Sequence, residues 1–349
     1  MPTSPNASAT VRFRDPQIEM AHGAGGKATR RLIEGLVAPV LGGPLLDSLG
    51  DAALLQLDGA SLAFTADSFV VRPLRFPGGS IGDLAVNGTV NDLAVGGAKP
   101  TTLVLTLILE AGLSTETLEI ELRAIASAAS RAGVAIVGGD TKVVEHGKAD
   151  GMYITTAGIG IADRRVRCAP SAVRPGDRIL LSGPIGDHGI TILLARGEID
   201  LESDLCSDTR SVYPMVHALI ASVGDAVHWM RDPTRGGVAS ALNELAADAR
   251  VGVVLAEDRI PVREEVRGAC ELLGLEPLHI ANEGQFLAVI AAERADEALE
   301  AVRAVPGGEA AVIIGEVRDQ PVRTVLAASA YGSSRVVDML VGDPLPRIC

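Results

Sequence analysis

A set of short polar stretches holds the residues of this chain that could act on a substrate. Aspartates stand in Gly50-Asp51-Ala52-Ala53, Ala66-Asp67-Ser68, Asn91-Asp92, Gly138-Gly139-Asp140-Thr141-Lys142 and Arg231-Asp232-Pro233-Thr234-Arg235. Hard cations such as Mg²⁺ take carboxylate and phosphate oxygens, so aspartates at strand ends are the donors a nucleotide-metal site requires. Asp beside Gly is equally turn chemistry, and each motif taken alone stays open between the two. His22-Gly23-Ala24-Gly25-Gly26-Lys27 precedes a helical pattern, where backbone N–H groups could meet phosphate. It lacks the Gly-Lys-Ser/Thr ending of a P-loop and the strand that precedes a dinucleotide fingerprint, so a flexible turn fits it as well.

Lys142 follows a buried-looking strand, a place where a cation could meet a phosphoryl group; a solvent-facing lysine is the alternative. Glu283, in Asn282-Glu283-Gly284 just ahead of a strand, is a candidate general base or part of a simple turn. Cys349 is the last residue of the chain, in a segment from Gly342 with prolines at 344 and 346 that favour extended backbone. At roughly 3.3 Å per residue such a segment reaches about 25 Å, far enough to enter a cleft or project into solvent. A thiol on a mobile end suits a covalent carrier shown to several partners in turn. A lipid-modified C-terminus is excluded, because Pro346 stands where the modified cysteine would be.

These residues need elements to hold them. Strand patterns run Leu62–Thr65, Thr101–Leu109, Val134–Val137 and Tyr153–Ile161, with helices at Ile81–Val95 and Ser114–Ala132. Ser114 caps the second of these and Gly133 stops it. Leu32, Ile33, Leu36, Val37 and Val40 give a further helix an apolar stripe. The turn Val173-Arg174-Pro175-Gly176-Asp177 marks a boundary near residue 170. Beyond it, strands are expected at Arg178–Leu181, Ala226–Met230, Val251–Leu255, Phe286–Ala291, Ala311–Val317 and Val322–Leu326, with helices near 188–196, 208–222, 236–249, 262–273 and 294–304. The chain therefore divides into a flexible arm (1–17), two α/β domains (18–170 and 171–338) and a mobile tail (339–349), each domain a sheet covered by helices.

With 349 residues, 47% of them hydrophobic, and a mean hydropathy of +0.29, the chain is too apolar for disorder and long enough for two cores. Its formal net charge of −13 and the lack of a Lys/Arg run argue against a nucleic-acid partner. No apolar run spans a membrane and the start lacks a signal-peptide pattern, so a cytoplasmic protein is expected. The four cysteines form no CxxC pair, which leaves neither a zinc site nor a redox dithiol to propose.

The motifs are recognisable as a set. His22-Gly-Ala-Gly-Gly, Phe76-Pro77-Gly78-Gly79, Gly88-Thr89-Val90-Asn91-Asp92-Leu93-Ala94, Gly139-Asp140-Thr141-Lys142-Val143-Val144, Gly186-Asp187-His188-Gly189, Asp232-Pro233-Thr234-Arg235, Ala281-Asn282-Glu283-Gly284 and Pro346-Arg347-Ile348-Cys349 closely resemble the HypE family of hydrogenase maturation proteins, from about residue 18 onward. That family belongs to the superfamily of aminoimidazole ribonucleotide synthetase, selenophosphate synthetase and thiamine-monophosphate kinase. The Gly-Asp-Ala and Asn-Asp motifs are shared across that superfamily and identify ATP and Mg²⁺ use only, whereas the Asp-Thr-Lys motif and the Pro-Arg-Ile-Cys end are much more specific to the HypE family.

The resemblance implies a two-domain PurM-like fold with mixed α/β sheets, in which the N-terminal sheet makes a homodimer interface. It implies an ATP-dependent carbamoyl dehydratase, a carbon-oxygen lyase. A HypF-like carbamoyltransferase loads Cys349, dehydration turns the S-carboxamide into a thiocyanate, and a HypC–HypD complex takes the cyanide to the iron of [NiFe] hydrogenase. Carried over by motif, Asp51, Asp67, Asp92 and Asp232 are metal ligands; His22, Gly23, Gly25, Gly26, Asn91, Asp140, Thr141 and Thr234 surround ATP; and Lys142, Glu283 and Cys349 are catalytic. One departure is that Gly50, not a second aspartate, precedes Asp51, so one metal ligand is absent or comes from elsewhere. The competing reading is a kinase or synthetase of the same superfamily acting on a free metabolite. The missing cysteine in the glycine loop disfavours selenophosphate synthesis, and the Pro-Arg-Ile-Cys end has no use in thiamine-phosphate phosphorylation.

Overall fold

Asp58 and Gly59, both at positive φ, form a two-residue turn of the kind that matches strand twist. They join β1 (Ala53–Leu57) to β2 (Ala60–Phe69), a longer hairpin than the sequence pattern suggests. The computed structural model describes residues 12–23, 25–41, 50–198, 201–342, 345 and 347–349. Most of the expected N-terminal arm (1–11), Ala24 of the glycine loop, and tail positions 343, 344 and 346 lie outside the described residues.

The first sheet adds β3 (Ala98–Glu110), β4 (Ala135–Val144) and β5 (Met152–Ala162), in the order β1-β2-β5-β3-β4. Only the β3/β4 pair is parallel, and the crossover it needs is a helix. Helix α1 (Lys27–Leu32) continues through a π-turn, Ile33–Val37, and a last turn, Ala38–Leu41. Of its expected apolar stripe, Leu32, Ile33 and Val37 are half-buried while Leu36 and Val40 are exposed. Helix α2 (Ile81–Val95) begins at Ser80, whose hydroxyl accepts from the Asp83 N–H, and is buried along nearly its whole length. Helix α3 (Thr115–Ala132) runs from the Ser114 cap to Gly133 in the left-handed conformation, as the sequence predicts. Both cover one face of the sheet. Each fully buried Leu, Ile or Val, such as Ile81, Leu84, Val90 and Leu103, contributes roughly 1.5–3 kcal/mol. At Gly158 a Cβ would stand 2.8 Å from Leu103 and from Thr89, so helix and sheet meet there at closer range than any side chain allows.

The opposite face carries exposed Phe64, Val104, Ile136, Ile159 and Ile161. Strand β4 was expected to end at Val137 and to be buried; it runs on to Val144 and is exposed almost throughout. The motif residues Asp140, Thr141 and Lys142 therefore lie within an edge strand rather than in a loop after it.

The second half builds a seven-stranded sheet from β6 (Arg178–Leu181), β7 (Val227–Arg231), β8 (Gly252–Ala256), β9 (Leu287–Ile290), β10 (Val312–Arg318), β11 (Thr324–Ala328) and β12 (Ser334–Val337), in the order β12-β11-β8-β10-β6-β9-β7. Helices α4 (Asp187–Ala195), α5 (Tyr213–Val223), α6 (Gly237–Ala249), α7 (Glu264–Leu273) and α8 (Ala295–Arg303) complete it. The helix expected from 208 starts only at Tyr213, because Asp208 turns back to accept from the N–H groups of Glu283 and Gly284 at 3.0 and 3.1 Å. Leu345 and Ile348 are buried in a core cluster that also includes Phe69, Ile190 and Ile280, so the described end of the chain packs into the protein.

Candidate active site

The ends of several elements converge where the two sheets' domains meet. Asp51 precedes β1, Asp67 lies on β2, Asp92 sits in the last turn of α2, and Asp232 follows β7. Oxygens of Asp51, Asp92 and Asp232 lie within 4.8 Å of one another. Thr65 Oγ1 is 2.9 Å from Asp92 Oδ2 and 2.7 Å from the Asp51 carbonyl oxygen, which fixes β2 against α2. These aspartates line a cavity of about 180 Å³ together with Asp67, Thr234, Arg235, Glu283 and Cys349.

Two arginines offset the carboxylates. Arg231 Nε lies 3.0 Å from Asp51, and Nη1 lies 3.2 Å from Glu244. Arg235 Nη1 donates to the Gly23 carbonyl oxygen at 2.9 Å, and a Cβ at Gly25 would stand 2.6 Å from the Arg235 Cβ. Gly25 also has φ +78, so only glycine fits both the turn and the contact. Burial pushes Asp51, Asp67 and Asp92 above the usual carboxylate range, against Arg231 at Asp51 and Arg235 at Asp67. Burial, with Asp51 second, pushes Asp232 up to about 8. A cluster in this condition is stabilised by a hard cation, and its donors are the oxygens such a cation takes.

Glu283 is held by its backbone: its N–H donates to Asp208 and its carbonyl accepts from Asn91 Nδ2 at 3.2 Å. Gly284 is required beside it, since a Cβ there would stand 1.8 Å from the Asp208 carbonyl oxygen. The carboxyl is buried, its Oε1 meets no hydrogen-bond partner among the described residues, and burial with the nearby aspartates holds its pKa well above the ordinary range. Asn282 ties this loop to its neighbours, accepting from the Gly186 N–H at 2.7 Å and donating to the Pro233 carbonyl at 2.9 Å.

A larger cleft of about 1010 Å³ adjoins the cavity and shares Ala66, Arg231, Asp232, Thr234 and Arg235 with it. Gly25, Gly26, Thr29, Arg30 and Glu244 line its far side. Some expected residues fall elsewhere. The His22 ring is buried against Phe13, accepts from the Glu19 N–H and pairs with Asp15 at 2.9 Å, so it braces the turn before α1. Gly23 lines neither cavity, and two loop N–H groups are already used, Gly25 by Thr29 Oγ1 and Lys27 by the Leu340 carbonyl. Asn91 is fully engaged with the backbone of Arg210, Val212 and Glu283, which makes it a brace for the Glu283 loop rather than a nucleotide contact. Asp140, Thr141 and Lys142 line neither cavity; Lys142 Nζ pairs with Asp140 at 2.6 Å on the exposed sheet face.

Sequence reasoning gave no role to Arg231, Arg235, Asp208 or His188. The arginines flank Asp232 directly, and the need for cations beside buried carboxylates could have singled them out. Asp208 was hidden inside an expected helix.

The class that this fold and site define is given by comparison, as the AIR synthase related, PurM-like proteins. Residues 49–162 match the AIR synthase related protein N-terminal domain and residues 174–327 its C-terminal domain. Carbamoyl dehydratase HypE of Azotobacter vinelandii is 49% identical over 97% of this chain and 98% of its own. A crystal structure of a HypE-HypF complex superposes with a TM-score of 0.84 at 42% identity, covering 88% of this chain and 99% of the other. HypE crystallised in complex with ATP gives 0.80 at 44%, covering 95% and 99%. The chain belongs to the carbamoyl dehydratase HypE family of hydrogenase maturation enzymes.

Proposed function

We propose that the chain dehydrates a carbamoyl group carried on its own Cys349 to a thiocyanate, using ATP, and so supplies the cyanide ligand of a [NiFe] hydrogenase. The observation that carries this reading is the placing of Cys349 on the wall of the cavity formed by the aspartate trio and Glu283. An S-carboxamide there has a phosphate-binding cluster on one side and a carboxylate base on the other. Transfer of the γ-phosphoryl group to the carbamoyl oxygen, with loss of one N–H proton, makes an imidate phosphate. Departure of phosphate with the second N–H proton leaves S–C≡N, so the products are ADP, phosphate and a proton. Glu283 is the base, since it lines the cavity and its Oε1 has no competing hydrogen-bond partner among the described residues. Arg235, also on this cavity, offsets the negative charge.

Asp51, Asp92 and Asp232, with Asp67 beside them, are the residues to hold Mg²⁺, which when bound neutralises polyphosphate charge. Arg231, 3.0 Å from Asp51, offsets part of that carboxylate's charge. The large cleft, with Thr234 at its junction, is the volume for the nucleotide. Lys142 reaches a nucleotide only from a second copy: β4 pairs Asp140 with Thr106 and Lys142 with Ile108, on the same sheet face as exposed Val104. A homodimer through that face is therefore part of the reading. A HypF-like carbamoyltransferase loads the sulfur, and a HypC–HypD complex receives the cyanide.

Intact-protein mass spectrometry tests this. Cys349 carbamoylated by such a partner should lose one water, about 18 Da by the dehydration chemistry, when Mg²⁺ and ATP are added. ATP consumption with an unchanged carbamoyl adduct would instead direct attention to a free metabolite.

A further inference from the structure

Residues 347–349 are held in part through their main-chain oxygens. The Arg72 N–H at 3.4 Å and Arg196 Nη2 donate to the Arg347 carbonyl oxygen, His188 Nε2 lies 2.7 Å from that of Ile348, and the Val70 N–H donates to a terminal carboxylate oxygen of Cys349 at 3.0 Å. The Arg347 guanidinium donates to the Val70 carbonyl at 3.2 Å and pairs with Asp150, which Arg72 also approaches at 3.4 Å.

Beside this seat is a separate cavity of about 480 Å³, lined by Arg72, Pro73, Ala195, Arg196, Glu198 and Arg347. It shares no lining residue with the aspartate cavity. Three guanidinium groups meet here. Asp150 is divided between two of them and Glu198 stands 3.7 Å from the third, Arg196. This is a local positive excess in a chain of formal net charge −13. The Arg72 side chain is 69% exposed and reaches Asp150 only at long range. Burial, together with the charges of Arg347 and Arg72, lowers the pKa of Arg196 against the pull of Glu198, so a further carboxylate is welcome there.

A seated sulfur inside a cavity of about 180 Å³ cannot at the same time enter another protein's active site. The seat must open for loading, and Arg196 is common to the seat and to the arginine cavity. We propose that the arginine-lined cavity at the root of the tail docks an acidic segment of the protein that loads Cys349, and that docking releases the tail. The proposal rests on the carrier role of Cys349 argued above. A carboxylate on Arg196 pairs charge with charge, where the Arg347 carbonyl oxygen offers that guanidinium only a neutral acceptor, so it competes for the donor that holds the tail. The planar fork of Arg196 favours such a two-pronged partner.

The test uses the full chain carrying Cys206→Ser. Cys206 is the exposed competitor, while burial pushes Cys168 and Cys270 up to about 12 and about 11 and slows them. The rate of Cys349 alkylation by iodoacetamide is read with and without a hexaglutamate peptide. The peptide should raise the rate severalfold at low ionic strength, and added salt should remove the effect. Arg72→Ala keeps the backbone bond to Arg347, so it should retain the basal rate and lose the response. No response to hexaglutamate, an equal response to hexaglutamine or inorganic phosphate, or a full response in Arg72→Ala overturns the docking surface. A chain that ignores the peptide yet still dehydrates carbamoylated Cys349 loses this proposal alone; one that responds yet forms no thiocyanate loses the dehydration reading alone.

Discussion

Asn91 Nδ2 donates to the backbone carbonyl oxygen of Glu283, 192 residues away, at 3.2 Å. The same amide nitrogen reaches the Arg210 carbonyl at 3.0 Å, and the amide oxygen accepts from the Val212 N–H at 2.8 Å. One buried side chain of the N-terminal domain thus sets the height of the Glu283 loop in the C-terminal one. Asn91→Ala takes these bonds from the Arg210 carbonyl and the Val212 N–H and one of two from the Glu283 carbonyl, which also accepts from the Arg210 N–H, at about 1–3 kcal/mol for each group left unsatisfied. The expected result is a lower Tm together with a dehydration rate that falls further than nucleotide affinity, read by calorimetry and single-turnover mass spectrometry.

Glu283→Gln keeps the size of the side chain and removes the base. The variant should fold, bind ATP and accept a carbamoyl group, while thiocyanate formation drops at least about a hundredfold, the usual worth of a positioned base. An unchanged yield of thiocyanate would take Glu283 out of that role.

Lys142 is exposed and, among the described residues, pairs with its strand neighbour Asp140, so Lys142→Ala should change stability by no more than about 0.5 kcal/mol. If the lysine acts on the cavity of a second copy, mixing inactive Lys142→Ala with inactive Glu283→Gln should restore activity, because mixed dimers hold one intact site. Absence of any recovery in exchanged mixtures would contradict the dimer.

His188 is buried between Ser207 Oγ, 2.8 Å from Nδ1, and the Ile348 carbonyl, with Phe76 edge-on at 5.6 Å. Burial lowers its pKa to about 4. The unfolded chain, with an ordinary histidine near pH 6.5, binds a proton that the folded chain refuses, so this stability is complete above about pH 6.5 and lost as pH falls toward 4. The loss is at most about 3.5 kcal/mol, at about 1.4 kcal/mol per unit. His188→Gln, which keeps an amide donor, should show a shallower fall in Tm between pH 7 and pH 4 than the parent chain.

Local signals made some of this legible. Ser114 and Gly133 announce a helix because a cap and a left-handed stop act within one turn. The full span Ile81–Val95 could be read from its apolar run. The aspartates were legible as types and not as a trio, since Asp51, Asp92 and Asp232 meet only through the packing of β1, α2 and β7. His22 and Asn91 carry the same motif signal as cavity residues, and only tertiary contacts reveal them as braces. For Lys142, the run Gly138-Gly139 looks like the end of a strand, yet β4 passes through it because Gly139 meets the Leu105 backbone too closely for any side chain. Asp208 left no trace, as its partners are backbone N–H groups 75 residues away.

The protein grips the carbonyls of Arg347 and Ile348 and the terminal carboxylate of Cys349, together with the Arg347 guanidinium and the buried Ile348 side chain. Held by main chain and side chains together, the tail is a tethered ligand whose local concentration, on the order of millimolar for a short linker, replaces intrinsic affinity. Weak binding is an advantage under that arrangement: a segment that leaves easily returns easily, and the same chemistry becomes open to a separate peptide ending in cysteine once enough of it is supplied.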